Sequence, residues 1–153
     1  MKKRNLWKTL FWIYCAVMLV LLFWRMPALD PASYGDRLLD LLNPVPFETI
    51  CRYIQLLGHP GKIYVRIAAV NLFGNIFMFV PLGLLMPAAY PVLARWWKTL
   101  SVTIGAVVAV EITQMLTLLG TCDIDDLILN LLGAAMGYGC FLILRKNKGS
   151  AAN

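Results

Sequence analysis

Apolar residues gather in four long blocks separated by polar, proline-rich or basic segments. The blocks are Leu6–Trp24, Ile67–Met86, Leu100–Leu119 and Leu127–Leu144. About 20 mostly apolar residues carry a helix across about 30 Å of hydrocarbon, so each block predicts a membrane-spanning helix. Trp7, Trp24, Trp96 and Trp97 stand at block ends, where interfacial anchors belong. Pro81 lies inside the second block and predicts a kink near Phe77. Pro87 and Pro91 follow that block and mark its end. No internal repeat or low-complexity tract interrupts the pattern. The predicted fold class is all-α, a polytopic membrane protein with a four-helix bundle. Residues 1–144 form a single transmembrane domain and residues 145–153 a short basic tail.

The segment Arg25–Arg66 is long for a loop. It holds two short amphipathic stretches, Tyr34–Leu42 and Phe47–Leu57, bounded by Pro31, Pro44, Pro46 and Gly58. Two readings stand side by side: helices lying on the outer leaflet, or a loop packed over the bundle mouth.

Composition agrees with the pattern. The 153 residues are 60% hydrophobic and 14% charged, against about 45–50% and about 25% in soluble domains. A soluble enzyme, a disordered chain and a secreted disulfide scaffold are all excluded. The first block has the basic start of a signal peptide. Its long core carries Phe11, Trp12, Phe23 and Trp24, and Arg25–Pro31 offers no clean cleavage site. It is read as an uncleaved anchor.

The net charge of +6 changes meaning once it is placed on the spans. With the N-terminus in the cytoplasm, the cytoplasmic segments carry nine basic residues and no acid, from Lys2 to Lys148. The outer segments carry five basic residues (Arg25, Arg37, Arg52, Lys62 and Arg66) against seven acids. The asymmetry predicts an N-in, C-in topology. It points to a lipid bilayer as partner, and nucleic acid is not expected.

Polar side chains inside a span are costly and signal function by default. The second block carries Asn71 and Asn75, the third Glu111 and Gln114, and the fourth opens at Asp126 and carries Asn130. Each pair is spaced to share one helix face. At about 1.5 Å rise per residue, Asn75 and Glu111 both lie about 12 Å below the outer surface. Asn71, Gln114 and Asn130 lie about 5–7 Å deep. The connection Gly120–Asp126 adds Asp123, Asp125 and Asp126 directly above. Together these residues predict a small polar cavity opening outward. At that depth Glu111 needs a partner, a proton or a cation, and the expected form is a neutral carboxyl hydrogen-bonded to Asn75. Interhelical hydrogen bonding accounts for the asparagines alone equally well. Gly133 and Gly137 form a small-xxx-small face for close helix approach.

The remaining candidates are weaker. His59 sits beside Pro60 and Gly61 and reads as a loop histidine. Cys15 and Cys140 fall in apolar helices. Cys51 and Cys122 both fall outside, so a pairing between them is left open.

Four motifs in order resemble those of the VanZ-like family of membrane proteins, over roughly residues 10–144. They are Asn43-Pro44-Val45-Pro46-Phe47 with Thr49-Ile50; Asn71-Leu72-Phe73-Gly74-Asn75 continuing to Pro81-Leu82-Gly83; Glu111-Ile112-Thr113-Gln114; and Asp123 to Asn130 with Gly133 and Gly137. The resemblance implies a multi-pass protein of the bacterial cytoplasmic membrane and cell envelope. The family's founding member is associated with low-level resistance to the glycopeptide teicoplanin. The matching positions are Asn71, Asn75, Glu111, Gln114, Asp123, Asp125, Asp126 and Asn130. Many members carry an Arg shortly before the acidic element, where this chain has Gly120-Thr121-Cys122. That departure puts anion binding in doubt, or shifts it to Arg52, Lys62 or Arg66.

The leading functional expectation is a binding protein for an envelope lipid, a cell-wall precursor or a lipoglycopeptide. A membrane-embedded enzyme using Glu111 and the Asp123, Asp125 and Asp126 loop is the alternative, with Glu111 and Asp126 as catalytic candidates. A proton- or cation-coupled transporter is the third reading. No cofactor is expected, apart from a candidate divalent cation at the acidic outer loop. Ligand identity and oligomeric state are left open.

Overall fold

A computed structural model describes residues 2–24 and 41–150. Its elements run α1 (Lys2–Phe23), β1 (Leu42–Asn43), α2 (Glu48–Leu57), α3 (Lys62–Ala89), a 3-10 turn (Pro91–Leu93), α4 (Trp96–Leu116), β2 (Cys122–Asp123) and α5 (Ile124–Ser150). Four helices, α1, α3, α4 and α5, are long and apolar enough to cross a membrane. Their apolar side chains are exposed along much of the bundle, including Val17, Leu19, Val20, Phe77 and Ile143. A bundle solvated by hydrocarbon presents such a surface.

The helices occupy the predicted blocks with shifted ends. Helix α3 starts at Lys62 and runs through Pro81 and Pro87 to Ala89, rather than ending at Met86. Each proline leaves the carbonyl four residues earlier without its helical donor, but a break would expose more backbone to hydrocarbon. The helix therefore continues, and Tyr90 N–H closes it on Met86 O at 2.9 Å. Helix α4 stops at Leu116 because Leu118 adopts a left-handed conformation (φ 55°). The N–H of Leu119 then bonds the Gln114 carbonyl at 2.8 Å, closing the helix end.

Small residues bring α3 and α5 together. A Cβ at Gly133 would collide with the Ile76 carbonyl, and one at Gly137 with the Val80 carbonyl; a Cβ at Gly83 would strike the backbone of Ala134. The first two pairings advance together along both helices, so α3 and α5 are parallel. Helix α1 runs antiparallel to α3. Tyr14 Oη donates to Met78 O at 2.7 Å, and Trp12 Nε1 donates to Tyr90 Oη at 2.9 Å. The shared core is Met18, Phe79, Leu82, Met86 and Val107, flanked by Phe11, Tyr14, Leu22 and Leu127.

The predicted stretch Tyr34–Leu42 lies outside the described residues up to position 40. The second stretch forms α2, packed across the bundle mouth against α3. Segments β1 and β2 pair in parallel, Leu42 with Cys122 and Asn43 with Asp123.

Candidate functional site

Seven of the eight sequence-predicted site residues line one cavity of about 430 Å³: Asn71, Asn75, Glu111, Gln114, Asp123, Asp126 and Asn130. Helices α3, α4 and α5 each contribute a face, and the 117–123 connection closes the end. Asp125 does not line the cavity. It is fully buried and caps the start of α2 from a distance. Its Oδ1 accepts Phe47 N–H at 2.5 Å and its Oδ2 accepts Ile50 N–H at 2.9 Å. Phe47, at the N-cap position of α2, has φ 67° and no capping side chain of its own. Asp125 therefore supplies the acceptor that an N-cap residue ordinarily provides.

Asp123 is likewise committed. Its Oδ1 accepts Asp125 N–H at 2.8 Å, which makes it the N-cap of α5. Its Oδ2 accepts the Thr49 hydroxyl at 2.7 Å and Asn43 Nδ2 at 3.3 Å. Asn43 Nδ2 also donates to Thr49 Oγ1 at 2.9 Å. The acidic connection is thus a clasp that fastens the 42–50 segment over the cavity.

The expected Glu111–Asn75 pairing is not formed. Asn75 Nδ2 donates to Asp126 Oδ1 at 2.5 Å, and Glu111 Oε2 accepts the backbone N–H of Asp123 at 3.4 Å. The physical reason is reach. Asp126 lies in the first turn of α5, whose close packing on α3 brings its carboxylate to Asn75, while Glu111 faces the turn that starts α5. Asn71 Nδ2 bonds back to Ile67 O at 2.8 Å, and Gln114 Nε2 ties α4 to the Leu22 carbonyl of α1 at 2.9 Å. Asn130 is 5% exposed. Its Oδ1 is fully buried without a hydrogen-bond partner among the described residues.

Thr49 and Tyr53 of α2 also line the cavity and are not among the sequence-predicted site residues. Their spacing of four places them on one helix face, which was the available signal. Burial raises the Tyr53 phenol above its ordinary pKa, and the Asp126 carboxylate adds to the effect, opposed by Arg52. The phenol is therefore held protonated and remains a hydrogen-bond donor. The wall also includes Thr121 and the apolar residues Leu22, Val70, Met78, Phe79 and Val107.

No group of three or more His, Cys, Asp or Glu is arranged to hold a metal ion among the described residues. Asp123 and Asp125 spend their oxygens on the clasp. His59 is exposed, with Nδ1 accepting Gly61 N–H at 3.0 Å and its ring against Tyr64. Cys51 and Cys122 are free thiols, as are Cys15 and Cys140.

No curated protein and no solved structure matches the chain. A family model does: VanZ/LLP1 matches residues 10–145, which include α3 and α4 whole, most of α1 and α5, the clasp and every cavity residue named above. The chain belongs to the VanZ/LLP1 family of membrane proteins.

Proposed function

We propose that this protein binds the polar head of an amphipathic envelope molecule, an envelope lipid, cell-wall precursor or lipoglycopeptide, and thereby contributes to teicoplanin resistance. The observation that carries the reading is the mixed wall of the cavity. Glu111 and Asp126 stand beside Val70, Met78, Phe79 and Val107 in one space of about 430 Å³. That size lies within the range of small-molecule sites, and polar and apolar side chains share this wall about equally. A molecule with a polar head and an acyl tail would satisfy both parts of such a wall.

The side of the membrane follows from charge. Lys8, Arg95, Lys98, Arg145 and Lys146 belong to the end of the bundle away from the cavity. Basic flanks favour the cytoplasm, so the cavity would open to the envelope. The bacterial cytoplasmic membrane is the corresponding location.

The test is a deletion strain challenged with teicoplanin and with a glycopeptide lacking the lipid chain. Complementation with the native chain restores teicoplanin tolerance. Glu111→Gln and Asp126→Asn, present at native membrane levels, fail to restore it. Full restoration by both variants overturns the proposal.

A further inference from the structure

The close approach of α3 and α5 keeps a register of four residues. Gly133 meets the Ile76 carbonyl and Gly137 meets the Val80 carbonyl. One further turn on both helices sets Phe141 opposite Leu84, and a second sets Arg145 opposite Ala88. A large side chain on each helix now stands where Gly137 met a carbonyl. Backbone contact gives way there to a second cavity, of about 410 Å³, lined by all four of these residues. Trp7 of α1 and Ala94 of the connection to α4 help to close it. It shares no lining residue with the first cavity and lies at the opposite end of the bundle.

Arg145 is the charged residue of this lining among those described. Phe141 lies one turn deeper, about 6 Å further from the helix end. The space is therefore apolar inside and cationic at its mouth. Each wall adds a cation to that mouth: Lys8 follows Trp7, Arg95 follows Ala94, and Lys146 follows Arg145. Lys8 Nζ stands 5.4 Å from the centre of the Tyr90 ring, which holds it beside the turn that begins at Pro91. These cations have no carboxylate to meet. Residues 1–29, 49–110 and 127–153 contain no Asp or Glu. The ion pair formed among the described residues, Arg52 with Glu48, is at the other end.

We propose that this second cavity holds an anionic glycerophospholipid, its phosphate on the Arg145 guanidinium and an acyl chain between Leu84 and Phe141. The planar guanidinium offers paired donors that match phosphate oxygens. A free phosphate would use Arg145 and leave Leu84 and Phe141 uncovered. An uncharged apolar molecule would cover them and leave the cations unmatched. A zwitterionic headgroup would bring its own ammonium towards Lys8, Arg95 and Lys146, which repel it, whereas a glycerol headgroup brings none. Basic pockets between membrane helices on the cytoplasmic side suit such headgroups. In the orientation proposed above the lipid belongs to the cytoplasmic leaflet. Its binding does not depend on what the outer cavity takes.

The experiment uses the full chain, reconstituted in nanodiscs with equal phosphatidylglycerol and phosphatidylcholine and released into mild detergent. Retained lipid is counted by native mass spectrometry. Several cations at one mouth set the expectation of about ten-fold preferential retention of phosphatidylglycerol. Arg145→Gln lowers that retention about five-fold. Ala88→Leu lowers it as well, by filling the space without changing the charge. Lys98→Gln removes a cation from the same end but outside the cavity, and leaves the preference near the native value. Equal retention of the two lipids by the native chain overturns the site. So does a preference that Arg145→Gln and Lys98→Gln lower equally, because that is attraction to a basic surface. A folded Ala88→Leu that retains the lipid as the native chain does also overturns it. Neither Arg145 nor Lys98 is buried, so their comparison decides the matter even where Ala88→Leu fails to fold.

Discussion

Asn75 Nδ2 donates to Asp126 Oδ1 at 2.5 Å and joins α3 to α5 at the cavity wall. The two helices are already in backbone contact through Gly133 and Gly137, so the bond is made between rigid neighbours and needs little further ordering. Removing the donor leaves the Asp126 Oδ1 without the partner that the structure gives it. Asn75→Ala is expected to destabilise the fold by about 1.5–3 kcal/mol, the range for a hydrogen bond to a charged group. Asn75→Asp sets a second carboxylate against Asp126 and should destabilise more than Asn75→Ala. Unfolding in mixed micelles with increasing denaturing detergent measures both. Equal stability of Asn75→Asp and the native chain would show that the bond contributes nothing.

The residues of this bond were legible in the sequence, and their pairing was not. Helix spacing put Asn71, Asn75, Glu111, Gln114 and Asn130 at similar depths, and all five line the cavity. Depth says nothing about azimuth between helices, so Asn75 was matched to Glu111 when Asp126 is nearer. Asp125 shows a second limit. Its partners are the backbone N–H groups of Phe47 and Ile50, distant along the chain, and such partners leave no periodic trace. The third limit concerns helix ends. Pro87 reads as a stop in soluble proteins, but a helix in hydrocarbon continues through it because backbone has no water to turn to.

The Asp125 cap gives a second prediction. Both carboxylate oxygens receive backbone donors at the start of α2, and the charge sits where the helix dipole favours an anion. Losing an N-cap acceptor costs about 1–2 kcal/mol. In Asp125→Ala the amides of Phe47–Ile50 should exchange with deuterium about 5–30 times faster, while those in the middle of α4 are unchanged. Uniform acceleration across the whole chain would instead mean that Asp125 holds the entire fold.

The helix contacts divide the glycines into two sets. A Cβ at Gly83, Gly133 or Gly137 collides with backbone of the facing helix, and backbone has no rotamer to change. Nothing lies within 4 Å of a Cβ at Gly139. Overpacking costs about 1–3 kcal/mol, so Gly137→Ala is expected to lower the melting temperature in detergent. Gly139→Ala, two positions along the same helix, should raise stability by about 0.5–1 kcal/mol, since alanine is the better helix former. Equal effects of the two substitutions would contradict the close approach of α3 and α5.

Cys122 offers a reporter for the charge of Glu111. It lies in β2, at the connection above the cavity, next to the Asp123 backbone N–H that Glu111 accepts. Burial raises the Cys122 thiol above its ordinary pKa, and the Glu111 and Asp123 carboxylates raise it further. Alkylation proceeds through the thiolate, so a raised pKa slows the reaction at a given pH and moves its midpoint upward. With Cys15, Cys51 and Cys140 replaced by Ser, alkylation of Cys122 should turn on above the pH of a free thiol. Adding Glu111→Gln removes one negative charge while keeping the side-chain shape. The midpoint should then move down, and at fixed pH the variant should react faster than its parent. The plateau rate well above the midpoint, where the thiol is fully ionised, separates charge from access: a Gln that loosened the connection would raise the plateau, whereas loss of the charge alone leaves it in place. An unmoved midpoint would mean that Glu111 carries no charge that Cys122 senses.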